Sequence, residues 1–293
     1  MKYQEFIETV KKHIQEKLNQ DVTIYPVQKN NGRIYDGLVI LDSTLNISPT
    51  IYLNPYFHRY LDGTPMEEIY DDILKIYQDN VPKGDFDISI FREYDKVKPR
   101  IIMKLINAQK NKHLLKKVPH ILVYDLAIVF LCNVSDHMKE YATILIHNEH
   151  MDLWNITKEK LYELAQANSM KLLPPRLENL HDIYKQISDV SLSFLEDLNI
   201  YILTNSLKIH GATCMIYPNL LEEIANIYED DLCLIPSSIH EILIIPYQNI
   251  PTNYSLNDID TMIIDVNETE LADDEILSDH SYIYHRDTKE ITY

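Results

Sequence analysis

The chain has 293 residues, of which 45% are hydrophobic and 25% are charged, a composition typical of an ordered globular protein. Its formal net charge of −18 argues against a general attraction to nucleic acid or to an anionic membrane, since both carry negative charge. No run approaches the roughly 18 uninterrupted apolar residues of a transmembrane helix, and residues 1–20 lack the apolar core of a signal peptide.

The cysteines indicate a reducing environment. There are three of them, far apart in the sequence, and each lies among apolar residues. This pattern favours reduced core cysteines over a disulfide framework or a thiolate metal site. We therefore expect a soluble, cytoplasmic protein.

The first part of the chain alternates between helical and strand patterns. Apolar residues at helical spacing predict an amphipathic helix at the start of the chain. Residues 22–27 and 34–41 have the pattern of strands, and Asn30-Asn31-Gly32 between them is a turn sequence typical of a hairpin. Residues 50–60 and 66–77 then have helical patterns.

The middle of the chain is predicted to continue with a short strand over residues 85–93 and a helix over residues 99–115 that is interrupted near residues 107–112. Residues 123–134 and 141–147 are apolar runs of strand length. Residues 157–167 form an amphipathic helical pattern, which ends shortly before a pair of prolines.

These prolines, Pro174 and Pro175, favour an extended link between two lobes. We place an N-terminal lobe at residues 1–172 and a C-terminal lobe, with an acidic final segment, at residues 173–293. The second lobe is predicted to contain, in chain order, a strand at 199–204, a strand-like run at 211–217, a helix at 218–228, a strand pair at 232–246, a helix or strand at 256–266 and a strand at 282–292. Hairpin-spaced strands dominate, so the expected fold class is α+β, with two lobes of small, mainly antiparallel sheets and helices packed on one face.

The strand pair at 232–246 contains the most informative polar group of the sequence. Polar side chains there interrupt two apolar runs of strand length, which predicts a site at the edge of a sheet. Two more polar residues near the end of the chain join this group if the last segment folds back over the turn. The candidate ligand-binding residues are Ser237, Ser238, His240, Glu241, Asn205, Asp279 and His280.

The residue types in this group leave two interpretations open. The first is a non-enzymatic module that binds a ligand or a partner and needs no cofactor. The second is a metal-assisted hydrolase in which His240, His280 and Asp279 hold a divalent metal. A serine nucleophile is disfavoured because Gly-x-Ser-x-Gly and a Gly-rich oxyanion loop are both missing, and His147-Asn148-Glu149-His150 lacks the His-Glu-x-x-His order of zinc hydrolases.

A third interpretation concerns the basic stretch from Lys96 to His120, which contains eight Lys and Arg residues and no acidic residue. The lysines up to Lys117 could dock a nucleic acid or an acidic protein, or they could face the acidic C-terminal part of the same chain. On helical geometry they form no single stripe, so nucleic acid is not the expected partner.

Several of these segments together resemble a known family. They are residues 201–205, Gly211-Ala212, residues 234–241 and residues 277–280. The set is similar, nearly from end to end, to a family of uncharacterised proteins with a domain of unknown function that is common in anaerobic Gram-positive bacteria. The resemblance implies a bacterial cytosolic protein and implies no activity.

Overall fold

A computed structural model describes residues 1–81, 91–134, 142–187 and 199–293 of the chain. The chain divides into two compact units, residues 1–92 and residues 93–293. The strand predicted at 85–93 lies almost entirely outside the described residues.

In its described residues, the first unit combines three α-helices with a three-stranded antiparallel sheet in the order β1-β2-β3. Its elements are α1 (Tyr3–Leu18), β1 (Asp21–Gln28), β2 (Ile34–Leu41), β3 (Thr50–Tyr52), α2 (Leu53–Leu61) and α3 (Met66–Asn80). The predicted hairpin is confirmed, since β1 and β2 pair along their whole length. The helix predicted from residue 50 begins three residues later, because residues 50–52 pair with β2 instead.

The core of the first unit lies between the helices and one face of this sheet. Phe6, Val10 and Ile14 recur at helical spacing along α1 and are fully buried. They share one apolar cluster with Leu38 and Ile40, which alternate along β2 and therefore point to the same face of the sheet.

Over the residues that the structure describes, the second unit contains a four-stranded antiparallel sheet and a larger six-stranded one. The smaller sheet is built from β4 (Ile101–Asn107), β5 (His120–Val123), β6 (Leu126–Asn133) and β7 (Thr143–Leu145). Strand β6 is central and pairs with β4 along one side and with β5 and β7 along the other. The described residues of this part of the chain also form the α-helices α4 (Tyr94–Val97), α5 (Asn148–Trp154) and α6 (Lys158–Leu172).

The helix predicted over residues 99–115 is wrong, because residues 101–107 form strand β4. Every residue of β4 except Lys104 is buried, so the run shows no alternation from which a strand could be read. The edge of β4 that faces away from β6 is covered as well. Ser169 Oγ of α6 accepts a hydrogen bond from Met103 N at 2.8 Å, and Thr213 Oγ1 accepts one from Leu105 N at 3.1 Å.

The six-stranded sheet is antiparallel throughout and has the strand order β13-β12-β10-β11-β9-β8. Its strands are β8 (Pro175–Asn179), β9 (Tyr201–Asn205), β10 (Leu232–Ser238), β11 (Glu241–Pro246), β12 (Tyr282–Tyr284) and β13 (Ile291–Thr292). The same part of the chain contains α7 (Leu180–Ile187), α8 (Leu220–Tyr228), α9 (Leu256–Thr269) and a 3-10 helix (Gly211–Ile216) at the predicted strand-like run 211–217.

Helices together with several small antiparallel sheets confirm the α+β class. The lobe boundary predicted at 172/173 lies inside the second unit, where the chain passes from α6 to β8 and so from the smaller sheet to the larger one. Within the described ranges, none of the helices is long and apolar enough to cross a membrane.

The three cysteines are free and buried. Cys132 lies in β6, Cys214 in the 3-10 helix and Cys233 in β10. Burial raises the pKa of the Cys132 thiol to about 11, and it raises those of Cys214 and Cys233 to about 12. These side chains are core residues, as the sequence predicts.

Candidate functional site

The predicted polar turn connects β10 to β11. Ser238 and Glu241 are paired in register, so Ile239 and His240 form the tip of the turn. Ser238 is buried, and its Oγ accepts a hydrogen bond from His240 N at 3.0 Å. Ser237 Oγ donates to Glu241 Oε1 at 3.4 Å. Both hydroxyl groups therefore stabilise the turn itself.

His240 is also engaged in the surrounding structure. Its Nδ1 accepts a hydrogen bond from His210 N at 3.2 Å, and its ring stacks on the His210 ring with 5.5 Å between centroids. Its main-chain oxygen accepts a hydrogen bond from Thr204 Oγ1 at 2.8 Å. Burial lowers the pKa of His240, which favours the neutral ring that this acceptor role requires. Glu275 Oε1 lies 3.8 Å from His240 Nε2.

Asn205 lies at the end of β9 and is almost fully buried. Its Oδ1 accepts hydrogen bonds from Leu207 N at 3.0 Å and from Ile209 N at 3.4 Å, and its Nδ2 donates to Ile209 O at 2.7 Å. These bonds satisfy main-chain groups of the loop that follows β9. Asn205 therefore shapes a loop and presents little surface to a ligand.

Gly211 brings this loop against the turn. A Cβ atom at Gly211 would overlap Thr204 Oγ1 and the main-chain oxygen of His240, and it would lie 2.9 Å from Asn205 N. The end of β9, Gly211 and the β10–β11 turn thus form one closely packed group, which we call the turn junction.

His280 and Asp279 have other partners. His280 Nε2 lies 3.1 Å from Asp125 Oδ2. Asp279 Oδ1 accepts hydrogen bonds from Lys110 Nζ and from Asn267 Nδ2, both at 3.0 Å. The contact with Lys110 joins the basic stretch to the acidic C-terminal part of the same chain.

The part of the chain that the structure describes contains no group of three or more His, Cys, Asp and Glu residues able to hold a metal ion. His147 and His150 lie at the start of α5, where His150 Nδ1 accepts a hydrogen bond from His147 N at 2.9 Å. This pair completes a capping box, which is a structural role.

A groove of about 400 Å³ lies between the six-stranded sheet and α9, and we call it the α9 groove. It exists because α9 covers only part of one sheet face. Ile259 and Ile263 of α9 pack with Cys233 and Ile245 in one apolar cluster. The next pair on that face, Ile235 and Leu243, is left half-buried.

Among the residues that the structure describes, the lining of the α9 groove has no charged side chain. It consists of Ile200, Ile235, Pro236, Ser237, Leu243, Ile245, Ile250, Pro251, Tyr254, Ile259, Met262, Ile263, Val266 and Asn267. Ser237 connects this groove to the predicted site, and the other predicted residues do not line it. The one sequence signal for the groove is α9 itself, whose apolar residues extend beyond a single buried stripe to the exposed Met262 and Val266.

Comparison with known proteins gives a family and no activity. The model of one protein family, described as a family of unknown function (DUF5688), matches residues 3–286. A search of curated proteins and a search of solved structures each found no match.

Proposed function

We propose a function for this chain, which belongs to the DUF5688 family of unknown function. The protein is a binding module whose α9 groove holds an uncharged, mainly apolar small molecule. The observation that carries the proposal is a concave and uncharged lining in a chain whose net charge is −18. Its volume of about 400 Å³ lies within the range of small-molecule sites.

The chemistry of the lining selects the ligand class. A charged group in this groove would lose water without gaining an ionic partner from the described lining residues. An apolar ligand gains about 25 cal/mol for each Å² of apolar surface that it removes from water. Ile235 and Leu243 on the sheet and Met262 on the helix offer such surface from opposite walls.

Ser237 supplies a polar group at one end of the groove. Its hydroxyl makes a long hydrogen bond of 3.4 Å to Glu241 and retains capacity to accept a bond from a ligand hydroxyl or amide. No acidic or basic side chain, histidine or cysteine appears among the lining residues within the described ranges. This composition supports binding rather than catalysis.

The test is a titration with N-phenyl-1-naphthylamine, an uncharged fluorescent probe of apolar sites. We expect saturable binding of one probe per chain. Leu243→Thr places a β-branched residue, which strands favour, at this position and removes apolar surface from the groove, so it should weaken binding roughly tenfold, equivalent to about 1.4 kcal/mol.

The matched control is Leu177→Thr in β8 of the same sheet. Leu177 is 37% exposed and pairs with Leu203, which pairs with Ile242, so it lies on the opposite sheet face from Leu243. Probe binding should be unchanged in this variant. Equal weakening by both substitutions, or by neither, would contradict the assignment of the site to the α9 groove.

We infer the bacterial cytosol as the compartment in which this module acts. The inference is supported by the resemblance of the sequence segments and by three buried thiols that form no disulfide. Fractionation of the native cells should recover the protein with cytosolic markers, and recovery with the membrane or the culture medium would oppose it.

A further inference from the structure

Helix α9, which forms one wall of the groove, is tied to residues 277–282, which we call the clasp segment. Asp260 Oδ1 of α9 accepts hydrogen bonds from Ser281 N and Ser281 Oγ, both at 2.7 Å. Asn267 Nδ2, near the other end of the helix, donates to Ser278 O at 2.9 Å. Asn267 also lines the groove, so a shift of the clasp segment would displace a residue of the groove wall.

The clasp segment is in turn anchored to the turn between β5 and β6. Asp125 in that turn receives two contacts from the segment, one on each carboxylate oxygen. Tyr282 OH donates to Asp125 Oδ1 at 2.6 Å, and His280 Nε2 lies 3.1 Å from Asp125 Oδ2. Asp125 therefore joins the four-stranded sheet to the segment that holds α9.

The geometry around His280 requires a protonated ring. Its Nδ1 lies 3.0 Å from the main-chain oxygen of Ser281, while its Nε2 faces the Asp125 carboxylate. Both oxygens are acceptors, and a neutral imidazole has one N–H group only. The two contacts can be hydrogen bonds at the same time only when His280 is an imidazolium.

The charged and titratable groups around His280 favour this state. Its hydrogen bond with Asp125 raises the pKa of His280, and Asp260 of α9 adds to the effect. Burial alone would raise the pKa of Asp125, but the hydrogen bonds from His280 and Tyr282 outweigh burial and lower it. Tyr293 stacks on the His280 ring at 5.3 Å, and burial raises the pKa of Tyr282. The neighbouring Asp279 is paired with Lys110.

We propose that the protonated His280 holds the clasp segment and, through it, α9, so that the α9 groove loses affinity for its ligand when His280 is deprotonated. The affinity change rests on the proposed function, whereas the coupling of His280 to α9 does not. Because the pKa of His280 is raised in the folded protein, the contact is complete below the ordinary pKa of about 6.5 and is lost as pH rises through the raised value.

The coupling can be measured without a ligand. Nuclear magnetic resonance of methyl-labelled methionines gives a signal for Met262, which lines the groove on α9, and the ring signal of His280 gives its pKa directly. We expect both signals to titrate together, above the ordinary pKa of histidine. His280→Gln should abolish the pH response of Met262.

The matched control is His285→Gln. His285 Nδ1 lies 2.9 Å from Asp231 Oδ2, and His285 Nε2 lies 2.9 Å from Thr292 Oγ1. Because the Thr292 hydroxyl can donate as well as accept, a ring with one N–H group can make both hydrogen bonds of His285. The response of Met262 should persist in this variant. Asp125→Asn provides a second variant, in which the shared titration should move to lower pH and not vanish.

Ligand binding is then measured with the same uncharged probe across the His280 titration. The affinity of the parent protein should fall by about fivefold from the acidic to the basic side, a size typical of coupling between sites. An ordinary or lowered pKa for His280, or a Met262 response that survives in His280→Gln, would overturn the proposal. Co-titration of both signals in a protein that binds no probe would reject the proposed function and keep the coupling.

Discussion

The turn junction and the α9 groove both involve strands β10 and β11, yet they use their side chains in opposite ways. In the turn junction, the polar atoms of Asn205, Thr204 and Ser238 are bonded to main-chain groups nearby. In the α9 groove, the apolar side chains of Ile235 and Leu243 remain half-buried. Polar residues at a strand turn can thus make all their hydrogen bonds within the fold. A binding surface can form next to them from apolar residues that look like core residues in the sequence.

This difference predicts that substitutions in the two regions change different measured quantities. Substitutions in the turn junction should lower the free energy of unfolding and leave probe affinity unchanged in the folded protein. Substitutions in the groove should lower probe affinity and change the free energy of unfolding less, because Leu243 packs incompletely in the free protein.

Gly211→Ala should have the largest effect on stability. The added methyl group would meet the main-chain atoms His240 O and Asn205 N, which cannot move without displacing two strands. We expect a loss of about 3 kcal/mol in the free energy of unfolding, measured by urea denaturation. Adding Thr204→Ala removes only the side-chain part of the overlap, so full recovery in the double variant would show that the main-chain contact is unimportant.

Asn205→Ala should have the next largest effect. It removes a side chain that bonds both to Ile209 O and to the amide groups of Leu207 and Ile209, and it leaves these groups without that partner. The expected cost is about 2 kcal/mol by the same measurement. Asn226→Ala on the exposed side of α8 is the comparison, and a similar loss there would refute the special role of Asn205.

Ser237→Ala should have the smallest effect on stability, within about 0.5 kcal/mol, because its hydrogen bond to Glu241 is long and half-buried. Its effect should appear in binding instead. Probes that carry a hydroxyl group should lose more affinity in this variant than N-phenyl-1-naphthylamine, which has no hydroxyl group. A large loss of stability would place Ser237 with the turn junction rather than with the groove.

The fold could be predicted where local signals were strong. Asn30-Asn31-Gly32 between two short strands predicted the first hairpin correctly, because this turn sequence fixes the backbone of a tight connection. Residues 101–107 were missed since a strand buried on both faces shows no alternation. The 3-10 helix at Gly211–Ile216 depends on the close approach of Gly211 to β9 and to the turn, and the contact with the turn at His240 joins segments that are distant in the sequence.

The candidate site was harder to predict than the fold. The sequence pointed to Ser237 beside the groove, but it could not separate polar residues that bond to the main chain from residues free to bind a ligand. The groove itself depends on how far α9 covers the sheet, which is a tertiary property. Asp125, the residue that connects the clasp segment to the smaller sheet, is 155 positions from His280 and gave no signal of their pairing.

The positions of the three thiols have a practical consequence. All of them lie in the second unit, and the first unit, residues 1–92, has none. A thiol reacts as the thiolate, and burial has raised the pKa of Cys132, Cys214 and Cys233 far above neutrality. A thiol reagent at neutral pH can therefore modify the native chain only when the second unit opens. The rate of modification measures how often β6, the 3-10 helix and β10 each become exposed, with no background from the rest of the chain.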